Sequence, residues 1–191
     1  MRAPHLLVSS NNDPHKLYEQ GERIFCIRKP IVAAVQGAAI GGGLGLAMAA
    51  DFRIATPRSR LSANFVKLGT HPGFALTYTL QRTVGHQTAA LVLYTGRRFG
   101  GKQCVDLGLA DELVDEDQLR IRAIALATEI AENAPLAVEA TRETLRADLV
   151  VDIKTRTLLK ADKQVRLKAT ADFKEGVRAV AERRPGNWLR R

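Results

Sequence analysis

The chain has 191 residues, 46% hydrophobic and 5% aromatic, enough to bury one ordinary core without disulfide or metal staples. No apolar run of about 18 residues exists and residues 1–20 lack an apolar targeting core, so neither a membrane span nor a secretory leader is expected, and a cytoplasmic protein is. The formal charge of +9 is uneven, because residues 152–191 hold 12 Lys/Arg against 5 Asp/Glu.

Residues 1–12 carry no periodicity, and Ser9 to Asp13 reads as a loop. Asp13 and Pro14 form an N-cap and first-turn pair, and Leu17, Gly21, Ile24, Phe25 and Arg28 share a stripe, predicting a helix from about Pro14 to Arg28. Ile31 to Val35, an apolar run between Pro30 and Gly37, predicts a strand buried on both faces. Gly41, Gly42 and Gly43 then let the backbone approach another group closely, since no Cβ stands in the way. From Leu44 the Leu/Ala/Met sequence is strongly helix-forming, which places the glycines at a helix N-terminus.

Phe52 to Thr56 predicts a second strand stopped by Pro57, and Arg60 to Ala63 a short strand at an edge. Asn64 to Gly73 has turn residues but little periodicity, as site-lining loops do. Helices are expected over about 73–84 and 86–94, broken at Gly85 and ended by Thr95-Gly96, followed by a short helix over 101–107 and a strand over 109–114. Beyond Glu116 the pattern is wholly helical. Leu119, Ala123, Leu126 and Ile130 make one stripe; Leu136, Ala140 and Leu145 belong to a second helix, and Ile153, Leu158 and Val165 to a third. Phe173, Val177 and Val180 are expected inward on a last helix over 171–183. Helix, buried strand, turn and helix is the rhythm of parallel βαβ units, so the class is α/β, with residues 1–115 as the strand-containing core and 116–191 as a helical region.

At a helix N-terminus, unpaired N–H groups and the positive end of the macrodipole favour negative charge. The glycine turn lacks the Lys-Ser/Thr of a P-loop and the spacing of a dinucleotide fingerprint, which favours an oxyanion over a phosphate. Close helix–strand packing is the alternative reason for the glycines. Cys26 and Cys104 have no CxxC spacing or nearby His cluster, and read as reduced core thiols rather than metal ligands. The basic end suits nucleic acid, an anionic membrane or a polyanionic small molecule, or is simply a solvated helix face, since no aromatic platform accompanies it.

Several of these features recur in one order: Lys29-Pro30, Gly37, Gly41-Gly42-Gly43, Ala47 and Ala50-Asp51, then Leu68-Gly69-Thr70, Pro72-Gly73, Thr95-Gly96, Gly108-Leu109 and Asp172 to Val177. From about Asp13 onward this series resembles the crotonase superfamily, the enoyl-CoA hydratase/isomerase family. The resemblance implies a crotonase-like (ClpP/crotonase) βαβ spiral core, N-terminally incomplete here, with C-terminal helices that build a homotrimer or hexamer. It implies an acyl-CoA substrate, with coenzyme A entering as part of that substrate and no tightly bound cofactor; a membrane partner is not expected on the sequence, and nucleic acid is the weaker partner reading. The basic end would then face the phosphates of coenzyme A.

In that family the thioester carbonyl sits between two backbone N–H groups that stabilise an enolate. By position the helix-side donor is Gly42, and Gly37, Ala39, Ile40, Gly41, Phe65, Leu68, Pro72 and Gly73 fall on the substrate site. The second donor belongs to a loop after an earlier strand that this sequence does not contain, so acyl-CoA binding that is weak or absent is expected. Hydratases of the family carry one glutamate two residues after the glycine triplet, where this chain has Gly45. They carry a second four residues before the Leu-Gly-Thr glycine, where this chain has Phe65. Neither residue moves a proton, so two-glutamate hydration is not expected. The nucleophilic aspartate of the related dehalogenases falls at Gly73. A glutamate is expected to fit at Gly45 on helix propensity, whereas Phe65 reads as filling an apolar pocket.

His71 remains as a titratable candidate acid or base, against the alternative of a hydrogen-bonded structural histidine. Asn64 is a candidate to orient a water or a carbonyl; Thr77 and Tyr78 lie on a helix facing either core or pocket and read first as core, and Lys67 and Arg58 as phosphate contacts or loop solvation. Three functions compete: an acyl-CoA enzyme using oxyanion stabilisation without the glutamate pair, by decarboxylation or a His71-served isomerisation; a non-catalytic acyl-CoA-binding protein; and an RNA-binding relative using the basic end. The last is weakest, because net charge alone gives non-specific polyanion affinity.

Overall fold

The computed structural model describes residues 23–191, except for the side chains of residues 154–161. The expected first loop and most of the helix over 14–28 lie outside the described residues; residues 23–25 are helical. The elements that follow are β1 (Val32–Val35), β2 (Ala38–Ile40), α1 (Gly42–Ala49), β3 (Phe52–Ala55), β4 (Arg60–Ser62) and a 3-10 helix (Asn64–Leu68). Then come α2 (Leu76–Thr95), β5 (Phe99–Gly100), α3 (Gly101–Asp106), β6 (Glu112–Leu113), α4 (Leu119–Ala131), α5 (Pro135–Lys168) and α6 (Ala171–Ala181).

Among the described residues the strands form two three-stranded sheets, ordered β1-β3-β6 and β2-β4-β5. β1 runs parallel to β3 with Val32 opposite Phe52, and β3 parallel to β6 with Ile54 opposite Glu112. β2 runs parallel to β4 with Ala39 opposite Leu61, while β4 and β5 are antiparallel. Twice the chain steps from the first sheet to the second and then enters a helix: β1, β2, α1, then β3, β4, the 3-10 helix, α2. The strand at Ala38–Ile40 corrects the sequence reading, which made those residues part of the turn; three residues between two glycines are too few to display a period of two. For the same reason β4, expected at an edge, lies in the middle of its sheet between two strands that left no pattern. β1 is not buried on both faces, since Ala34 is exposed.

The main core joins both sheets to the helices: Leu44 and Met48 of α1 pack with Leu76, Leu80 and Val92 of α2 and with Leu61, Phe99 and Leu109. α4 lays Leu119 and Ala123 on Ile54 of β3. Within α2 the backbone leaves helical geometry at Gly85 (φ 76, ψ 169), and left-handed Gly96 ends it, both as expected. Cys104 is buried, and burial pushes its thiol up to about 11. Cys26 is exposed, which corrects its reading as a core thiol.

Two expectations for the helical end change. The second and third helices are one, because no Gly or Pro interrupts residues 136–168. Leu136, Leu145 and Val165 stand out from it, and Leu149 and Ile153 supply its buried contacts. On α6 the buried residues are Gly176 and Ala179, whereas Val177 and Val180 are exposed. The helix approaches the 3-10 helix so closely that a Cβ on Gly176 would lie 2.6 Å from the carbonyl carbon of Leu68, leaving no room for a branched side chain. Among the described residues no helix is long and apolar enough to cross a membrane, and no cluster of metal-ligating side chains occurs.

Candidate functional site

The glycine turn is built by a backbone conformation that residues with a Cβ rarely adopt. Gly41 has φ 57 and ψ −113 and caps α1; its N–H donates to the Ser62 carbonyl of β4 at 2.9 Å. Gly45 N–H returns to the Gly41 carbonyl at 3.1 Å. The intervening N–H groups, starting with Gly42, thus lie within the first turn and have no intrahelical acceptor. No side chain caps them and no acidic residue occupies the turn. Gly42 and Gly43 are exposed, with nothing within 4 Å of the place a Cβ would take. The result is an open set of N–H donors at the positive end of a helix, suited to a carbonyl oxygen acquiring charge.

The other face of the same turn is covered. Gly41 and Gly45, four residues apart, share a helix face. A Cβ on Gly41 would stand 3.3 Å from Asn64 Oδ1 and 3.7 Å from the ring tip of Phe65. A Cβ on Gly45 would overlap Phe74, 2.4 Å from its Cβ and 2.6 Å from its Cγ. The expectation that a glutamate fits at Gly45 is therefore corrected: Phe74 already fills the space. Phe74 and Ala75 both adopt left-handed conformations, φ 51 and 56, a strained pairing for residues with side chains. Phe74 also meets Phe25, with ring centroids 6.0 Å apart.

The 3-10 helix carrying Asn64 and Phe65 is clamped from two sides. Gly96 lies beneath it, where a Cβ would meet Val66 Cγ2 and Lys67 Cγ at 3.2 Å and Asn64 Cα at 3.4 Å, and Gly176 of α6 presses on Leu68. Ser62 joins these parts: its carbonyl holds Gly41, and its hydroxyl donates to the Gly96 carbonyl at 3.1 Å. Sequence reasoning missed Ser62 and Phe74. Only the alternation within β4 hints at Ser62, and Phe74 carries no local signal.

Of the other sequence-derived candidates, Gly37 and Ala39 line an apolar groove of about 390 Å³ with Gly43, Leu46, Ala47 and Ala50; Ile40, Leu68, Pro72 and Gly73 are not part of its wall. Pro72 and Gly73 are buried in the loop before α2. His71 is half-buried, its Nδ1 2.9 Å from the Pro72 carbonyl, and its own carbonyl accepts from Gln164 Nε2 of α5 at 2.7 Å. Thr77 and Tyr78 are half-buried at the start of α2. Burial and then a hydrogen bond to Asp152 raise the Tyr78 phenol, which stays protonated at neutral pH. Arg58 N–H donates to Glu116, in an exposed loop. Asp51 is an anchor: its carboxylate accepts from Ile31 N–H at 2.8 Å, Arg142 Nε at 2.9 Å and Arg146 Nη1 at 2.7 Å, tying α5 to the end of α1.

With this geometry in place, the comparisons with known proteins agree with one another. The sequence profile of the enoyl-CoA hydratase/isomerase family matches residues 9–191. A probable enoyl-CoA hydratase of Bacillus subtilis is 37% identical over 182 residues, covering 93% of this chain and 70% of that protein. A crotonyl-CoA hydratase of Syntrophomonas wolfei is 34% identical, covering 88% of this chain and 66% of its own length. Among solved structures, an enoyl-CoA hydratase/isomerase from Pseudoalteromonas atlantica superposes with a TM-score of 0.82 at 27% identity, covering 88% of this chain and 68% of that one. A carnitinyl-CoA dehydratase from Mycobacterium avium gives 0.79 at 32% identity, covering 86% and 66%. The chain spans about two thirds of the length of the curated relatives it matches.

Proposed function

The chain belongs to the enoyl-CoA hydratase/isomerase family and has its crotonase fold, and on that premise we propose that it holds an acyl-CoA thioester at the Gly42 N–H without performing two-glutamate hydration. The observation that carries this reading is the division of the α1 turn into an open face with free N–H donors and a face covered by Phe65 and Phe74. The thioester oxygen accepts from Gly42 N–H, and negative charge growing there is favoured by the helix dipole. The covered face offers two phenyl rings and no group that takes a proton. Chemistry that places charge on the oxygen without a side-chain base fits it best. In decarboxylation, for example, the electron pair of the breaking C–C bond moves into the thioester as CO₂ leaves, and water returns the proton. An isomerisation served by His71 is the alternative within the same reading.

A second reading, a non-catalytic acyl-CoA-binding protein, is favoured by the same two rings, since they remove the family's proton-transfer groups from this face. Both readings include a cytoplasmic homotrimer or hexamer built by the helices beyond residue 116, on which Ile121, Leu136, Leu145 and Val151 are exposed. RNA binding has only the net charge in its favour.

The test is Gly42→Pro. Proline is tolerated at the first helical position and deletes this single donor. Calorimetric titration with butyryl-CoA is expected to show binding lost in Gly42→Pro and kept in Gly43→Ala, with unchanged circular dichroism in both. Undiminished binding by a folded Gly42→Pro chain overturns the reading. Turnover of malonyl-CoA or of an enoyl-CoA isomer pair then separates enzyme from binding protein.

A further inference from the structure

We infer that the cleft between residues 25–28 and α5 binds a carboxylate with an apolar tail, such as a medium-chain carboxylic acid, its head group on Arg142 and Arg146. This place is separate from the Gly42 turn: Asp51, which holds both arginines, follows the C-terminal end of α1, whereas Gly42 opens that helix. The cleft encloses about 590 Å³, and its wall combines the two arginines with Phe25, Ile27, Val150 and Val151. Such a volume is ordinary for a small-molecule site.

The charges around the cleft are out of balance. Arg142 is 7% exposed; its Nε donates to Asp51 and its Nη1 to the Ile27 carbonyl. Arg146 Nη1 donates to the same carboxylate, and its Nη2 to the Ala49 carbonyl at 3.1 Å. Arg142 Nη2 and Arg146 Nε are buried and have no acceptor among the described residues. Two guanidinium groups thus share one carboxylate and still have donors to spare. Arg82 adds to the positive field, since it and Arg142 both act on Arg146. Of the acids in the wall, Glu139 pairs with Arg28 at 3.0 Å, and Glu143 is exposed and pairs with neither Arg142 nor Arg146. An incoming carboxylate supplies the missing charge and acceptors, and its two oxygens match the fork of a guanidinium. Glu139 and Glu143 disfavour a doubly charged head such as phosphate. The exposed Ile27 and Val151 beside buried Phe25 favour a hydrocarbon tail over a bare anion.

The experiment is calorimetric titration of the full chain with octanoate, octan-1-ol and inorganic phosphate, for wild type, Arg142→Met, Ala147→Glu and Ala147→Gln. Ala147 is exposed in the same wall on α5, so both of its variants are expected to fold, and the glutamate brings a carboxylate of its own to the cleft. Wild type is expected to bind octanoate at least about 10-fold tighter than octan-1-ol or phosphate. Arg142→Met and Ala147→Glu lose the preference for octanoate over octan-1-ol, and Ala147→Gln keeps it. Occupancy is read independently at Cys26, exposed in the cleft wall, whereas Cys104 is buried. Octanoate is expected to slow alkylation of Cys26 by iodoacetamide in wild type and not in Ala147→Glu. No octanoate binding by wild type, equal binding of octan-1-ol, phosphate binding as tight as octanoate, undiminished octanoate binding by Ala147→Glu, or octanoate binding that leaves Cys26 alkylation unchanged overturns the inference.

Discussion

Phe74 occupies the volume that any side chain on Gly45 would need, its Cβ standing 2.4 Å and its Cδ1 2.7 Å from the Cβ position there. Gly45→Ala is therefore expected to destabilise the fold by about 1–3 kcal/mol, although alanine is the better helix former. Phe74→Gly removes the ring and relieves the φ of 51 at that residue, so the double variant recovers part of the loss. Urea unfolding of both single variants and the double measures the coupling. A neutral Gly45→Ala would show that Phe74 moves aside freely.

A second glycine contact holds the 3-10 helix. Gly176 lies where a Cβ would come within 2.6 Å of the Leu68 carbonyl carbon, and at left-handed Gly69 a Cβ would come within 2.8 Å of the Asp172 carbonyl oxygen. Both obstacles are backbone and cannot rotate away. Gly176→Ala is expected to cost about 2 kcal/mol in urea unfolding, and Gly69→Ala more, since it adds left-handed strain to the clash. Because Asn64 and Phe65 ride on the same helix, Gly176→Ala is also expected to weaken acyl-CoA binding. Unaltered stability in both variants would contradict the close packing.

What the sequence made legible was local. The apolar runs at Val32–Val35 and Phe52–Ala55, the break at Gly85 and the stop at Gly96 each announce themselves within a few residues. Ala38–Ile40 did not, being too short to alternate. The inward face of α6 was misjudged because bulk was taken as the mark of burial, and close helix approach selects glycine and alanine instead. At the candidate site Gly42 was placed at a helix start by its neighbours, but the rings of Phe65 and Phe74 reach the turn from more than twenty residues away. No periodicity encodes such a meeting.

The C-terminal segment gives a pH-dependent prediction. Arg184 donates to Glu175 Oε2 at 3.2 Å and Asn187 N–H to Glu175 Oε1 at 3.0 Å; chiefly through the Arg184 bond the carboxyl is held at about 2 instead of its ordinary 4.5. A depressed folded pKa means that its contribution is fully present above the unfolded value, near 4.5, and is lost as pH falls towards 2. Trp188, the one tryptophan, lies against Gly186 in this segment and reports on it. Its fluorescence is expected to change between those pH values in wild type, at higher pH in Arg184→Gln, and without this component in Glu175→Gln. Identical titrations of wild type and Glu175→Gln would show that the pair does not hold the segment.

Asp51 sits between buried Arg142 and half-buried Arg146, and Arg142 Nη2 and Arg146 Nε have no acceptor among the described residues. Burial is the largest influence on Arg146 and pulls its pKa down, with Asp51 acting against it. Removing the carboxylate leaves two guanidinium groups uncompensated, so Asp51→Asn is expected to cost about 3–5 kcal/mol. Arg146→Met leaves a one-to-one pair and is expected to cost less. Thermal and urea unfolding give the order, and a larger loss in Arg146→Met would reverse this account of the cluster.

The last prediction concerns hydration. Adding water across crotonyl-CoA needs a positioned acid and base, each worth about 10²–10⁴-fold when correctly held, and the α1 face presents Phe65 and Phe74 instead. The chain is therefore expected to show no hydration of crotonyl-CoA, followed as loss of ultraviolet absorbance. Introducing Gly45→Glu and Phe65→Glu together is not expected to create the activity. At residue 45 the new side chain collides with Phe74, and at residue 65 a carboxylate takes the place of a ring packed against the main core, where it is desolvated and tends to protonate. Adding Phe74→Gly opens the space and relaxes the backbone, so the triple variant is expected to fold where the double variant is destabilised, and to be the first of the series in which hydration is measurable. Appreciable turnover by the unaltered chain would overturn the reading of Gly45 and Phe65. A stable, well-folded double variant would overturn the steric argument about Phe74 while leaving the missing carboxylates as the reason for inactivity.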